Sequence, residues 1–241
     1  MMLFRDKVVL VTGGGRGIGR AAVVLFSDEG GKVAFCGRTE GEVLGAAKEV
    51  EEKGGTVRPF RADISSRREV QRMVGQIISD WGKIDLLINN AGVLGPPEPI
   101  ATYPPEAWEE VIRINLNGTF LVTQAVVRTM IPRRSGTVLS ITSSVGRKGR
   151  AKWGGYAVTK FGLEGMMQTL AEEVAPFNLR VVSLNPGGTR TKMRAAAYPK
   201  EDLNRLQDPS DVAKALCYLA ISPDASLHGK SLNMSDLPVA P

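Results

Sequence analysis

Tyr156 and Lys160 stand four residues apart in a segment with helical periodicity, so both side chains project from one helix face. A phenol titrates near pH ~10 in water. An ammonium beside it favours the phenolate, and such a pair can exchange a proton with an alcohol or a ketone near neutral pH. Ser143, at the end of an apolar, β-branched run, adds a hydroxyl that can donate to a carbonyl oxygen, as the donors of an oxyanion hole do. A second constellation lies near the N-terminus. Thr12-Gly13-Gly14-Gly15-Arg16-Gly17-Ile18-Gly19 falls between a short apolar run and a helical pattern. Glycines accept φ > 0 and let backbone N–H groups approach a pyrophosphate, while the start of a helix supplies a favourable partial charge. A strand before such a loop and a helix after it are what a dinucleotide cradle needs.

The residue types at the end of the second apolar run select the dinucleotide. A site for NAD places an acid there to accept from the ribose 2′-hydroxyl. Here Gly37 is followed by Arg38, which with Arg16 can pair a 2′-phosphate through planar, charge-assisted contacts. Glu40 is the competing acid, but Thr39 and Glu42 have capping-box spacing, which puts Glu40 in a first helical turn. NADP(H) is therefore expected over NAD(H).

Positioning these groups requires alternating strands and helices. Short apolar runs at residues 7–11, 32–36, 56–61, 84–88, 137–141, 180–184 and 231–234 read as strands. Helical patterns cover residues 17–29, 42–53, 67–80, 108–130, 155–174 and 209–220. Fully apolar strands separated by helices indicate an α/β fold: a single Rossmann-type, doubly wound parallel sheet of about seven strands with helices on both faces. The Pro-rich stretch at residues 95–99 reads as a loop, so residues 1–241 are expected to form one domain.

The composition excludes several other classes. Of 241 residues, 43% are apolar and 23% charged, which is globular and argues against disorder. No apolar run approaches bilayer length and residues 1–7 lack a signal-peptide pattern, so no membrane role and a cytoplasmic location are expected. Cys36 and Cys217 give neither a disulfide framework nor metal-ligand spacing, and no metal is expected. The net charge of +6 raises nucleic acid as a partner. Its basic residues are scattered, however, apart from Arg147, Lys148, Arg150 and Lys152, and no finger or aromatic box accompanies them. An acidic ligand explains the charge with fewer assumptions, and no nucleic acid is expected. The lone His228 lies away from the motifs and reads as structural or surface.

Taken in order and spacing, residues 12–19 (TGGGRGIG), Asp63-Ile64, residues 89–92 (NNAG), Asn115, Ser143, Tyr156-x-x-x-Lys160 and Asn185-Pro186-Gly187 with Thr191 resemble the classical short-chain dehydrogenases/reductases along nearly the whole chain. The resemblance implies NADPH-dependent reduction of a ketone to a secondary alcohol, with Tyr156 as general acid and hydride supplied by the cofactor. It selects Ser143 over Ser144, adds that Lys160 also binds the nicotinamide ribose, and assigns Asn115 a water for proton relay. The cofactor would meet Gly13, Gly15, Arg16, Gly17, Ile18 and Gly19 at its phosphates and Arg38 at its ribose. Asp63 would accept from the adenine amino group, with Ile64 beside the ring. Asn90, Ala91 and Gly92 would flank the cofactor, while Pro186, Gly187, Thr189 and Thr191 would meet the carboxamide and phosphates. A homo-oligomer, tetramer or dimer, is implied through the helices at 108–130 and 155–174.

Two stretches depart from the pattern. The substrate lid, about residues 192–207, is short, with Met193, three alanines and Tyr198 for an apolar wall. The C-terminus has Asn233-Met234-Ser235-Asp236-Leu237 where many members carry an acid and two glycines. The family's reductases of 3-oxoacyl thioesters carried on an acidic acyl carrier protein are the nearest functional match. Arg134 fits one of their basic docking positions, Phe177 occupies the other, and the cluster at residues 147–152 is a substitute if it lies at the site's mouth. The alternatives are a dehydrogenase of a sugar or other small alcohol, and a non-catalytic NADP(H)-binding regulator. The intact Ser, Tyr, Lys and Asn set argues against the regulator.

Overall fold

A computed structural model describes residues 2–238. Seven strands form one parallel sheet: β1 (Val8–Thr12), β2 (Lys32–Gly37), β3 (Thr56–Arg61), β4 (Leu86–Asn89), β5 (Gly136–Ile141), β6 (Leu179–Asn185) and β7 (Ser231–Asn233). Their order is β3-β2-β1-β4-β5-β6-β7, so the chain reverses its winding between β1 and β4. Crevices for ligands open at such a switch point, outside the carboxyl ends of the strands. Pro59 lies in β3, at the edge of the sheet, where a missing N–H is tolerated.

The strands are apolar throughout because both faces are covered. Alternate residues of β1 point opposite ways, and the two faces have different partners. Val9, Val11, Val33, Phe35, Ile88 and Leu184 pack with α1 (Gly17–Asp28), α2 (Glu40–Glu51) and α8 (Pro209–Ile221). Val8, Leu10, Ala34, Leu87, Val138 and Val181 pack with α3 (Arg67–Trp81), α5 (Thr119–Met130) and α6 (Gly154–Val174). Leu10, Phe35, Leu87 and Leu139 are fully buried, and truncating any of them to alanine would cost about 2–5 kcal/mol. This two-sided core fixes the carboxyl edge on which the site is built.

The helix expected over 108–130 is broken. It divides into α4 (Pro105–Ile112), a π-helical turn (Arg113–Gly118) and α5. The weak helix formers Asn115, Asn117 and Gly118 reduce the cost of the interruption, and the Thr119 hydroxyl donates to the Asn115 carbonyl at 2.7 Å. The turn places the Asn115 side chain against the segment after β4. The lid contains the short helix α7 (Lys192–Ala197) and a 3-10 turn (Leu203–Arg205) but no long helix, as the sparse apolar content there predicts. Thr39 does cap α2, yet its side chain makes no capping bond; Glu42 turns outward to Arg16 and Lys192 instead.

Candidate active site

The glycine loop leaves β1 at the carboxyl edge and enters α1. Gly13 has φ +68°, and a Cβ there would lie 2.9 Å from the Ala91 Cα, so both conformation and close approach require glycine. Arg16 precedes α1 without a side-chain capping bond, which leaves first-turn N–H groups for an anion. Gly13, Gly15, Arg16, Gly17 and Ile18 all line an open crevice of about 1080 Å³. Gly19 stands behind it. A Cβ on Gly19 would collide with the Gly13 carbonyl, so its part is to let the loop close on the helix.

Arg38 lies on the same crevice and pairs with Glu110 at 3.4 Å; Arg16 pairs with Glu42 at 3.4 Å. Both pairs are exposed and worth about 0–1 kcal/mol each, so an anion can replace either carboxylate at little cost. Asp63 and Ile64 line the wall nearby. The Asp63 carboxylate accepts from the Ser65 amide at 2.9 Å and from Arg113 at 3.2 Å. Burial alone would raise its pKa, but these bonds and the Arg113 charge together hold it below the usual carboxylate range.

Asn90, Ala91 and Gly92 form the middle of the crevice. Thr12 holds this turn, its hydroxyl accepting from the Asn90 and Ala91 amides at 3.0 and 3.1 Å. Asn90 in return donates to the Thr12 and Gly13 carbonyls at 2.9 and 3.1 Å. Pro186, Gly187, Thr189 and Thr191 form the far wall after β6.

Ser143, Tyr156 and Lys160 converge at the end of β5. Tyr156 and Lys160 occupy one side of α6, with the lysine Nζ 5.5 Å from the tyrosine ring centroid. The ammonium is buried and donates to the Ile141 carbonyl at 2.7 Å. Burial lowers the Lys160 pKa to about 8, opposed by the Glu164 carboxylate. The phenolate expectation is corrected here: burial pushes the Tyr156 phenol up to about 12, and the neighbouring Ser143 hydroxyl offsets only part of that. The phenol therefore keeps its proton at neutral pH, the state a proton donor requires.

Asn115 does not line the crevice. Its amide accepts from the Val93 N–H and donates to the Val93 carbonyl, both at 2.8 Å, and donates to Thr159 at 3.2 Å. The side chain thus ties the loop after β4 to α6.

Beyond Tyr156 the crevice is walled by Val93, Leu94, Trp153, Met193 and Ala197. Trp153 packs on Tyr156 and Tyr198, with centroids 5.7 and 5.8 Å apart, and the Arg194 guanidinium covers the Tyr198 ring at 4.1 Å. Glu201 neutralises Arg194 through a two-point pair. Two residues considered for docking a carrier are engaged elsewhere. Arg134 donates to the Pro176 carbonyl at 2.6 Å, and Arg147 turns onto Glu164 at 3.2 Å. His228 bridges β6 and α6, accepting from the Val181 amide and bonding the Ala171 carbonyl, a structural role. Thr12 belongs to the glycine motif, but the sequence assigns no role to Glu110, Trp153 or Glu164; of these only Glu164 carries a spacing signal, one helical turn beyond Lys160.

A parallel sheet with a glycine loop at its switch point and a Tyr–Lys pair across the crevice defines a dinucleotide-dependent oxidoreductase architecture. The family model for short chain dehydrogenase matches residues 7–202. The uncharacterized oxidoreductase YciK of Escherichia coli K12 is 39% identical over 220 residues, covering 90% of this chain and 87% of the relative. The 3-oxoacyl-[acyl-carrier-protein] reductase FabG of Thermotoga maritima is 33% identical over 241 residues, covering 97% and 98%. Among solved structures, a short chain dehydrogenase from Shigella flexneri complexed with NADP superposes with a TM-score of 0.90 at 37% identity, covering 97% and 98% of the two chains. The chain belongs to the short-chain dehydrogenase family of oxidoreductases.

Proposed function

We propose that the protein is an NADPH-dependent reductase of ketones with apolar substituents, with 3-oxoacyl thioesters among its candidate substrates. The observation that carries this reading is the Tyr156 phenol, beside Lys160 and Ser143, opening onto the crevice that begins at the glycine loop. The residues present fit a phosphorylated dinucleotide. The uncapped start of α1 would hold the pyrophosphate, Arg38 and Arg16 the 2′-phosphate, Ile64 the adenine, and Lys160 the nicotinamide ribose. The NADP in the Shigella flexneri relative supports that choice.

A bound nicotinamide would supply the hydride. Ser143 donates to the substrate carbonyl oxygen and polarises it. Tyr156 transfers its phenolic proton to the same oxygen as negative charge develops there, and the Lys160 ammonium stabilises the phenolate left behind. Asn115 holds the Val93 wall against α6 so that the carbonyl is presented to these groups.

The substrate end favours apolar ketones over polyols. Val93, Leu94, Trp153, Met193 and Ala197 offer no hydrogen-bonding side chain other than the indole, and the Arg194 guanidinium beside them is already paired with Glu201. The relative named as a 3-oxoacyl-[acyl-carrier-protein] reductase supports a thioester. With Arg134 and Arg147 engaged and Arg150 donating to the Tyr198 hydroxyl, Lys148 and Lys152 are left as the exposed cations for an acidic carrier. Phe120, Val158 and Phe161 expose apolar surface on α5 and α6, which supports the homo-oligomer expected through those helices. The test is steady-state oxidation of NADPH and NADH in parallel across acetoacetyl thioesters, apolar ketones and sugars. Turnover of the first two with NADPH supports the reading; turnover confined to sugars, or cofactor binding with no turnover, overturns it.

A further inference from the structure

Glu164 is a buried carboxylate, 6% exposed, that touches neither the crevice nor any group assigned to the reaction. It lies one turn beyond Lys160 on α6, and a single oxygen collects three donors. The Thr142 hydroxyl reaches Oε1 at 2.7 Å, the Ser231 hydroxyl at 2.8 Å and the Arg147 Nε at 3.2 Å. A buried charge is retained at a cost, and here it is met by full pairing.

Arg147 extends the network. Its guanidinium donates to Asn233 Oδ1 at 2.8 Å, to Ser231 at 2.6 Å and to the Leu232 carbonyl at 3.2 Å, which fastens β7. Asn233 Oδ1 also accepts from Asn185 at 3.1 Å, and Asn185 accepts from the Gly187 amide at 3.2 Å. Asn185 and Gly187 line the crevice. A continuous polar chain therefore runs from the helix of Lys160, through the atypical C-terminal strand, to the wall opposite.

We propose that Glu164 and Arg147 form a positioning pair for Lys160: the carboxylate, anchored on Thr142 next to the Ile141 carbonyl that takes the ammonium, sets a negative charge beside it, and the guanidinium tempers that field while locking β7 and the Asn185 wall to α6. The inference rests on the reductase reading given above. The groups around Lys160 are few. From α6, Tyr156 lies beside it and Glu164 stands one turn beyond, anchored on Thr142; from β5 comes the neutral Ile141 carbonyl; Ser143 stands beside Tyr156, and Arg147 pairs with Glu164. Glu164 is the charge that acts on the ammonium, in opposition to its burial.

Opposite signs distinguish this pair from a merely structural one. Profiles of kcat/KM against pH are recorded for the wild type, Glu164→Gln and Arg147→Gln, with folding checked by thermal melting. Glutamine preserves the shape of Glu164 and can still accept from Thr142 and Ser231. The expected result is an alkaline limb displaced downward by about one pH unit in Glu164→Gln and upward in Arg147→Gln. A Glu164→Gln limb that coincides with the wild type, or displacements of one sign in both variants, overturns the proposal. If Arg147→Gln does not fold, Glu164→Gln decides alone. Failure of the wild type to turn over any ketone refutes the reductase reading instead. In that case the pKa of Lys160, read by NMR of reductively methylated protein, is compared between wild type and Glu164→Gln, with the same downward shift expected and no shift overturning the pair's role.

Discussion

Lys160 and Glu164, one turn apart on α6, grip consecutive residues at the end of β5: the ammonium donates to the Ile141 carbonyl and the carboxylate accepts from the Thr142 hydroxyl, each at 2.7 Å. This two-point clamp fixes α6, and with it Tyr156, to the strand end that leads into Ser143. The Tyr156 phenol is thus positioned by its own helix and by the strand that ends beneath it.

Burial of Lys160 makes a stability prediction with a definite sign. Below about pH 8 the lysine is charged in the folded and unfolded chains alike, and the folded state bears the whole desolvation cost. Between pH ~8 and ~10.5 only the unfolded chain keeps the proton, so this residue's cost fades as pH rises. That cost is on the order of 3 kcal/mol, offset by about 1 kcal/mol from the Ile141 bond. Lys160→Met should melt above the wild type at neutral pH, the difference closing by about pH 10, while turnover is lost. A variant that melts lower at neutral pH contradicts the prediction.

The same titration sets an alkaline limit on the wild-type rate. Tyr156 holds its proton up to about pH 12, so loss of activity on raising pH should track Lys160, near 8, rather than the phenol. A kcat/KM for reduction that stays level through pH ~10 would be incompatible with this assignment.

Arg38 is the proposed partner of a 2′-phosphate, and its present partner is an exposed glutamate. Arg38→Asp should raise the KM for NADPH roughly 10–100-fold and leave that for NADH little changed or improved, since charge-assisted bonds contribute about 1.5–3 kcal/mol. Glu110→Gln should move NADPH affinity the other way, within a fewfold. Parallel KM values for both cofactors check the pair.

Asn115 ties Val93 to Thr159 across the π-turn. Asn115→Ala leaves the Val93 backbone groups without partners and should cost about 1–3 kcal/mol of stability, with kcat falling more than cofactor affinity. Denaturant unfolding and NADPH titration of the variant separate the two effects. Unaltered stability would show that the tether is dispensable.

The parallel sheet could be read in advance because runs such as residues 8–11 are apolar on both faces, and Tyr156 and Lys160 because a four-residue spacing needs only local geometry. What escaped depended on partners remote in the chain. The π-turn forms where Asn115 finds Val93, 22 residues away, so helical periodicity alone carried the expected helix straight through it. Arg147 reads as part of a basic cluster until its partners, Glu164 and Asn233, are known. The raised phenol pKa likewise reflects burial that no spacing rule reports, and the Ser143 hydrogen bond offsets only part of it.

Tyr156→Phe tests the central claim most directly. Removing one hydroxyl leaves the ring, the Trp153 contact and the crevice in place. With an apolar ketone or acetoacetyl thioester that the wild type reduces, NADPH oxidation by the variant should fall by about 10²–10⁴-fold, while NADPH binding followed by fluorescence stays within a fewfold of wild type. Undiminished turnover in the variant would contradict Tyr156 as the proton donor.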